Sequence, residues 1–561
     1  MNMVRQVEEK LIASLQEALK QVAAERELEL AADKLAAVEV EVPREKEHGD
    51  YASNIALVMA GDFQTSPREL AEELITGIDC DLIADISVAG PGFINFTLKK
   101  DWLYEVLALI LEMGTDYGRV NAGKGEKVLL EFVSANPTGP LHVGHSRGAV
   151  TGDVLASIME KAGFDVQKEY YINDAGNQID ILGRSTLIRY QQQLGQQVEL
   201  PEDCYAGDYL REIAADLKQK YGRELLEYPE DRALEICSDY TYQKMMDIIK
   251  EDLQELGVEF DSWFSERQLH QGKIEQVIEL LREQGYIYEQ EGAIWFKASD
   301  FFDEKDRVVI KSEGIPTYLA ADIAYHYDKL ERGFDSLINI WGADHHGYIP
   351  RMKSVIKALG YEADRLQVLI VQIVSLLKQG QKVSMSKRAG DFVTLKDVIE
   401  EVGRDAARYF YIMRSSDSHL DFDLDLAREE SNKNPVYYIQ YAHARIHSIL
   451  EHPELNREII EELEKEQVKF DLLSTPEEIE LMKLLARYPE EIRVSAHSRQ
   501  PHHITSYVHE LAGAFHVFYN KCRVITEDEE ISTARFYLVE AVRQVLSNVL
   551  ELLGLEAPRQ M

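Results

Sequence analysis

Glu131-Phe-Val-Ser-Ala-Asn-Pro-Thr-Gly-Pro-Leu-His-Val-Gly-His145 is the stretch on which the reading of this chain turns. The apolar run Val128 to Val133 predicts a strand, the Asn-Pro-Thr-Gly-Pro segment a loop, and Arg147 to Lys161, with small and apolar residues at helical spacing, a helix. A strand that passes through a Pro/Gly loop into a helix opening on histidines is suited to holding nucleotide phosphates. The helix N-terminus offers unpaired N–H groups and a partial positive charge. Gly144 lets a ligand approach the backbone closely. His142 and His145, three residues apart, can reach the same phosphate. The plainer alternative is a βα turn with two incidental histidines.

The tetrad His142-Val143-Gly144-His145 resembles the HIGH signature of class I aminoacyl-tRNA synthetases. The residues before it, Ser134 and then Ala135-Asn136-Pro137-Thr138-Gly139-Pro140-Leu141, narrow the resemblance to the arginyl-tRNA synthetases. Further motifs extend the resemblance over nearly the whole chain. It implies a multidomain α/β protein: a Rossmann-like parallel-sheet catalytic domain split by a helical insertion, an α+β N-terminal domain and an all-α C-terminal anticodon-binding bundle.

Composition bounds this reading. A chain of 561 residues should divide into three or four domains, since single cores stop growing at about 250–300 residues. Hydrophobic residues at 45% and charged residues at 29% describe an ordinary soluble protein. No run of about 18 apolar residues exists to span a membrane. The N-terminal pattern is an amphipathic helix carrying several acids, unlike a signal peptide. Cys80, Cys204, Cys237 and Cys522 lie far apart and form no metal-binding or disulfide pattern, so a reducing cytoplasm is the expected location. The net charge of −38 argues against a polyanionic partner. Screening over about 10 Å makes the local surface decisive, however. An acidic body with basic or neutral strips facing RNA is the expectation.

Along the chain, the expected divisions are an N-terminal tRNA D-loop-binding domain at 1–115 and the first half of the catalytic domain at 116–190. A helical insertion at 191–300 and the second catalytic half at 301–385 follow. A KMSKS-like loop with a stem-contact region occupies 386–430, and the anticodon-binding domain 431–561. Parallel-sheet character is expected to return at Arg307–Lys311, Leu337–Gly342 and Val368–Ile373.

Lys382-Val-Ser-Met-Ser-Lys387-Arg-Ala-Gly390 is similar to the KMSKS loop, with Ser384 where the family pattern has its first lysine and Lys387 at the second. A lysine on such a loop can follow charge onto departing pyrophosphate. The resemblance makes His142, His145 and Lys387 the catalytic residues and His142, Gly144, His145, Ser386 and Lys387 the ATP-binding ones. Lys382 or Arg388 can stand in for the missing lysine. ATP with Mg²⁺ on its phosphates is the implied cofactor set, with no protein-bound structural metal.

An arginine side chain needs carboxylates in bidentate geometry and an aromatic face. Glu131 ends a strand where open α/β sheets bind ligands. Tyr318 and Asp322 share one helix face at i and i+4. By resemblance, Tyr318 and Asp322 take the guanidinium, Glu131 is a further acidic partner, and Ser134 and Asn136 hold the α-amino and carboxylate end. In Trp341-Gly-Ala-Asp-His-His-Gly-Tyr348, His345 and His346 stand where the family commonly has a glutamine, which puts His346 against the substrate. The Asp-His-His cluster also admits a metal-binding reading.

Tyr170-Tyr-Ile-Asn-Asp-Ala-Gly-Asn177-Gln178 is a second strand-to-turn junction beside the cleft. Three elements suggest tRNA. His48–Ala56 and Gly90–Phe96 resemble the extra N-terminal domain of the family, with Phe93 stacking on a D-loop base and Asn95 reading its edge. The competing view makes Phe93 a buried strand residue. Gly403–Arg414 resembles the stem-contact helix, and Asn434–Arg445 the anticodon bundle. The implied activity is an arginine–tRNA ligase acting as a monomer through arginyl-adenylate, with arginine, ATP and tRNA(Arg) as partners. The alternatives are a class I synthetase of another specificity and a non-catalytic tRNA-binding paralogue.

Overall fold

A computed structural model describes residues 2–383, 393–452 and 468–561 of the chain. The first element is the helix Met3–Glu25, whose Val4, Val7, Leu11, Leu15 and Leu19 form a buried stripe at helical spacing. Beside it lies an antiparallel sheet of β1 (Tyr51–Ser53), β2 (Ile83–Ala89) and β3 (Phe93–Leu98), in the order β1-β3-β2. The two-residue period of β3 sorts its side chains: Ile94, Phe96 and Leu98 enter the core, while Phe93, Asn95 and Thr97 share the opposite face. The helix Asp101–Met113 then packs against the C-terminal helices Pro476–Ser498 and Glu529–Leu552. The Tyr117 hydroxyl donates to Leu485 O (2.9 Å), and Asn548 Nδ2 donates to Gly114 O (2.9 Å) and Tyr117 O (3.2 Å), fastening the two ends of the chain together.

The central sheet is parallel throughout. It contains β4 (Lys127–Glu131), β5 (Asp165–Ile172) and β6 (Ser262–Ser265). After β7 (Ile287–Gln290), β8 (Ala293–Phe296) and β9 (Arg307–Ile310), the chain supplies β10 (Ser336–Gly342) and β11 (Leu366–Val371). The spatial order is β11-β10-β4-β5-β6. The chain builds β5 and β6 on one side of β4, then crosses to add β10 and β11 on the other. The order therefore reverses between β4 and β10, where Glu131 lies in register with Asn339. That reversal is where open α/β sheets place ligands. The helix Val143–Lys161 covers β4; a Cβ on its Gly152 would lie 2.3 Å from the Phe132 ring, so only glycine permits this approach.

Two expectations need correction. Arg307–Ile310 is not a parallel strand: β9 pairs antiparallel with β8 in a separate sheet of order β7-β8-β9. Only Val309 of that strand is fully buried, and so short an apolar run does not declare its partner. Residues 191–300 hold the helices Tyr209–Tyr221 and Glu230–Leu256, yet also β6, an edge of the parallel sheet, and the β7–β8 hairpin.

Beyond β11 come β12 (Val374–Lys378), β13 (Gln381–Lys382) and β14 (Leu420–Asp423), with β12 between the other two. The C-terminal region is helical: Pro435–Leu450, Pro476–Ser498, His502–Lys521 and Glu529–Leu552. Pro435 and Pro476 both occupy the first helical turn, where a missing N–H costs nothing. Thr475 and Glu478 close a capping box. No helix among the described residues is long and apolar enough to cross a membrane.

Candidate active site

The strand–loop–helix predicted at Glu131–His145 is present, and its histidines shape the helix entry. His142 is the N-cap: its Nδ1 accepts from Gly144 N (3.1 Å), while His145 Nδ1 accepts from His142 N (3.4 Å). The rings stack with centroids 3.9 Å apart. With Nδ1 of each ring accepting from the backbone, the proton of each neutral imidazole sits on Nε2, the tautomer suited to donating to a phosphate. Gly144 is exposed between them. The segment just beyond the KMSKS-like loop is bound to this entry: Leu395 N donates to Leu141 O (2.8 Å), and His142 forms a bridge with Thr394. Ser384, Ser386, Lys387, Arg388 and Gly390 lie outside the described residues. Lys382 is described, in β13, where it is exposed and lies near Asp421 (3.8 Å).

The helix is anchored from below. Arg147 is completely buried and donates to four carbonyls: Tyr411 (3.3 Å), Gln372 (3.1 Å), Ser418 (2.7 Å) and Ser415 (2.8 Å). Burial lowers its pKa to about 10, which still leaves it cationic near neutrality. Further along, Asp153 accepts from Arg408 (2.7 Å) and Lys168 (3.1 Å). Arg408 also donates to the carbonyls of Leu256, Gly257 and Leu553, joining the ends of two other helices to this one. Arg408, Tyr409, Phe410 and Tyr411 are all buried, so this part of the expected stem-contact helix is interior.

Above the β4/β10 reversal lies a cluster of carboxylates. Asp322, on the helix Tyr318–Glu331, is partly exposed and accepts from the Tyr348 hydroxyl. Burial of its carboxyl, with the charges of Glu131 and Glu266, pushes its pKa up to about 7, against the lowering effects of Tyr348 and Lys329. Glu266, just past β6, accepts from the Tyr171 hydroxyl (2.8 Å) and lies 3.4 Å from His270. Burial raises its pKa too. Tyr318 is 67% exposed one turn before Asp322.

Glu131 belongs to the same cluster but is committed inward. Its Oε2 accepts from Lys329 Nζ (2.6 Å) and its Oε1 from Ser134 Oγ (3.0 Å). The expectation that Glu131 pairs with a substrate guanidinium therefore meets a carboxylate that already holds a buried cation. Ser134 Oγ accepts from Tyr171 N (3.1 Å), and Asn136 Nδ2 donates to Gln178 Oε1 (2.7 Å), bringing the two strand-to-turn junctions together. The insertion closes over the loop, with the Tyr209 hydroxyl donating to Thr138 O (2.5 Å), and from β5 the Tyr170 hydroxyl donates to Ala135 O (2.8 Å). Asp174 accepts from Ser265 Oγ (2.7 Å) and Tyr242 (3.1 Å), tying β5 to β6 and the insertion.

His345 and His346 sit exposed on the turn Ala343–Tyr348, with His345 beside Asp344 (3.6 Å). Phe93 and Asn95 lie in the N-terminal sheet, Phe93 half-buried and Asn95 7% exposed. On the rim of the C-terminal bundle the half-buried Tyr437 and Tyr441 stack, and Arg445 lies over Tyr441 (4.5 Å) and the exposed Tyr519 (4.6 Å).

Sequence reading missed Glu266, Tyr348 and Lys329. For Glu266 a usable signal was present: Ser262-Trp-Phe-Ser265 is a short β-prone run ending next to an acid, the position that parallel strands offer to ligands. Tyr348 closes the motif that was read for its histidines. Lys329 carries no local signal.

Comparisons with known proteins show what the chain resembles. The family described as "tRNA synthetases class I (R), catalytic domain" matches residues 106–420, "Arginyl tRNA synthetase N terminal domain" matches 9–98, and "DALR anticodon binding domain" matches 439–561. The chain is 51% identical to an arginine–tRNA ligase of Geobacter sp. (strain M21), covering 95% of this chain and 96% of that protein. It is 49% identical to an arginine–tRNA ligase of Geobacillus kaustophilus over the full length of both. The solved structure of Thermus thermophilus arginyl-tRNA synthetase shares the fold, with TM-score 0.72 and 22% identity over 98% of this chain and all of the other.

Proposed function

Since the chain belongs to the arginyl-tRNA synthetase family, we propose that it charges tRNA(Arg) with L-arginine at the β4/β10 reversal. One observation carries the assignment: the strand β4 that leads to the helix entry of His142 and His145 ends on Glu131, in a carboxylate cluster where burial, then Glu131 and Glu266, hold the pKa of Asp322 up to about 7. A guanidinium supplies a cation in the planar, forked form that carboxylates bind best.

In the first step, the arginine carboxylate attacks the α-phosphorus of ATP and pyrophosphate leaves, giving arginyl-adenylate. No side-chain nucleophile is required. The N–H groups at the helix N-terminus and the Nε2–H groups of His142 and His145 stabilise charge growing on the phosphates, and Lys387 follows charge onto pyrophosphate. Magnesium carried on the ATP phosphates neutralises part of that charge. Ser134 and Asn136 orient the α-amino and carboxylate end. Asp322, with Tyr318 and Glu266, takes the guanidinium, and His346 borders the substrate. In the second step, a hydroxyl of the terminal tRNA adenosine attacks the mixed anhydride and AMP departs.

The N-terminal domain would grip the tRNA corner through Phe93 and Asn95, a reading supported by their shared face on β3. The bundle 431–561 would hold the anticodon. The protein is proposed to act as a cytoplasmic monomer. Pyrophosphate exchange measured with each amino acid, with and without tRNA, tests the whole reading; activation of another amino acid in preference to arginine overturns it. His142→Ala and His145→Ala should each slow exchange roughly 10²-fold or more, about 2.7–4 kcal/mol, and leave tRNA binding intact.

A further inference from the structure

Lys329 is wholly buried, and lysine is rarely so without a purpose. It projects from the helix Tyr318–Glu331 seven residues after Asp322, two turns along the same face. Its ammonium donates to Glu131 Oε2 (2.6 Å) and Asn339 Oδ1 (3.2 Å) and lies 4.1 Å from the Tyr325 ring centroid. Glu131 and Asn339 face each other across β4 and β10, so Lys329 bridges the sheet at the point where the strand order reverses.

From there the bonding runs outward. The second oxygen of Glu131 accepts from Ser134 Oγ (3.0 Å), and that same Oγ accepts from Tyr171 N (3.1 Å). Between these anchors the backbone is strained: Val133 (φ 65°) and Ser134 (φ 42°) both lie in the left-handed region, a conformation that β-branched residues in particular avoid. Such strain persists only where the surroundings over-determine it. The Glu131–Ser134 bond does so here, and Lys329 fixes the carboxylate that makes it.

We infer that Lys329 is a positioning residue for arginine selection: an internal cation that occupies one oxygen of Glu131, locks the Ser134 turn through the other, and leaves Asp322 and Glu266 to define a pocket for a single guanidinium. This rests on the arginine reading of the site. An amino acid bearing a simple ammonium would have to compete with Lys329 for Glu131, while the acids left over present the spread geometry that suits a planar fork.

The test uses the full-length enzyme, with KM for arginine and for ATP measured by pyrophosphate exchange in the presence of tRNA. Lys329→Met should raise the arginine KM tenfold or more and change the ATP KM less than twofold, and Lys329→Arg should recover most of the loss. The double variant E131M/K329M leaves no buried charge alone, so it should regain the melting temperature lost in Lys329→Met. It should nevertheless keep the raised arginine KM, because Ser134 has lost its acceptor. This variant decides the matter if Lys329→Met does not fold.

A second readout is the pH profile. The groups acting on Asp322 are Tyr348, Glu131, Glu266 and Lys329. Removing the last leaves Glu131 unopposed, so the pH midpoint of arginine KM should move upward in Lys329→Met. Recovery of both Tm and arginine KM in the double variant, or equal effects on the two substrates, would overturn the inference and make Lys329 a structural residue. Failure of the arginine reading would look different: the wild-type enzyme itself would not activate arginine.

Discussion

Two sets of carboxylates lie along the helix Tyr318–Glu331, and they have opposite electrostatics. Beneath the pocket, each acid has a resident cation. Glu169 is fully buried and receives a bidentate Arg332 (2.7 and 2.8 Å) together with the Tyr325 hydroxyl (2.7 Å). Burial works against its ionisation, yet Arg332, Lys329 and Tyr325 outweigh it and hold its pKa below the usual range. Glu131 has Lys329. At the pocket, among the described residues, Asp322 accepts a hydrogen bond from the Tyr348 hydroxyl alone; burial, then Glu131 and Glu266, push its pKa up to about 7 although Lys329 works the other way. On the proposed reading the difference separates scaffold from site: where folding alone is served the charge is matched internally, and where the cationic substrate is proposed to bind it is left to be matched from outside.

Breaking the scaffold side should give the largest loss of stability. Glu169→Gln removes the buried carboxylate that receives the bidentate Arg332 and leaves that part-exposed guanidinium to Asp328 (3.1 Å) and a neutral amide, and should cost about 1.5–3 kcal/mol in chemical denaturation. Arginine and ATP KM, measured below the shifted transition, should move little and together. A selective loss of arginine affinity would mean that the lower layer is part of the pocket and that the division just drawn is wrong.

Asp322→Asn attacks the other side. It keeps the shape and removes the charge, so arginine binding should weaken by about 2–5 kcal/mol while the ATP KM holds. The same change should stabilise the fold. A carboxyl whose pKa is higher folded than unfolded favours the native state below the unfolded pKa, and that advantage is lost as pH rises through the folded pKa. At pH 8, wild-type Asp322 therefore carries a penalty of roughly 2–4 kcal/mol that the amide does not. A higher melting temperature with lost arginine affinity is the expected pair of results. A lower one would show that Asp322 is a scaffold acid after all.

How much of this was legible in the sequence follows the range of the interactions. The loop from Glu131 to His145 declares itself because strand, turn chemistry and helix entry lie within fifteen consecutive residues. Asp322 and Tyr318 are legible as an i, i+4 pair. Glu266 is not, because it reaches the pocket only through the pairing of β5 with β6, across an insertion of some ninety residues. Nor are the partners of buried charge. Arg408 sits in a stretch that resembles an RNA-facing helix, yet its guanidinium is spent on Asp153 and three carbonyls. A sequence shows that an arginine is present, and only packing shows whether its five donors are already used.

The smallest effect should be the sharpest reading of the comparison. The arginine guanidinium stays cationic at every accessible pH, so below pH 8, where the α-amino group is largely protonated too, protonation of the site governs its binding. If Asp322 must be ionised to receive it, the site is fully competent only above the Asp322 pKa of about 7. Below that value a proton must leave as arginine enters. The arginine KM should then be flat from pH 8 to 9 and rise towards tenfold for each unit below 7, a gradient of about 1.4 kcal/mol per unit. The ATP KM supplies the control: on the proposed reading Asp322 takes the arginine side chain and not ATP, so the ATP profile should not bend at the same point. The slope should also disappear in Asp322→Asn, whose weak binding has no carboxyl to titrate. An acid whose cation is already in place, such as Glu169, would bend the profile only below the ordinary carboxylate range, since its pKa is lowered rather than raised. An arginine KM that stays flat down to pH 5 would therefore mean that Asp322 is paired like the acids beneath it, and the contrast between the two layers would be lost.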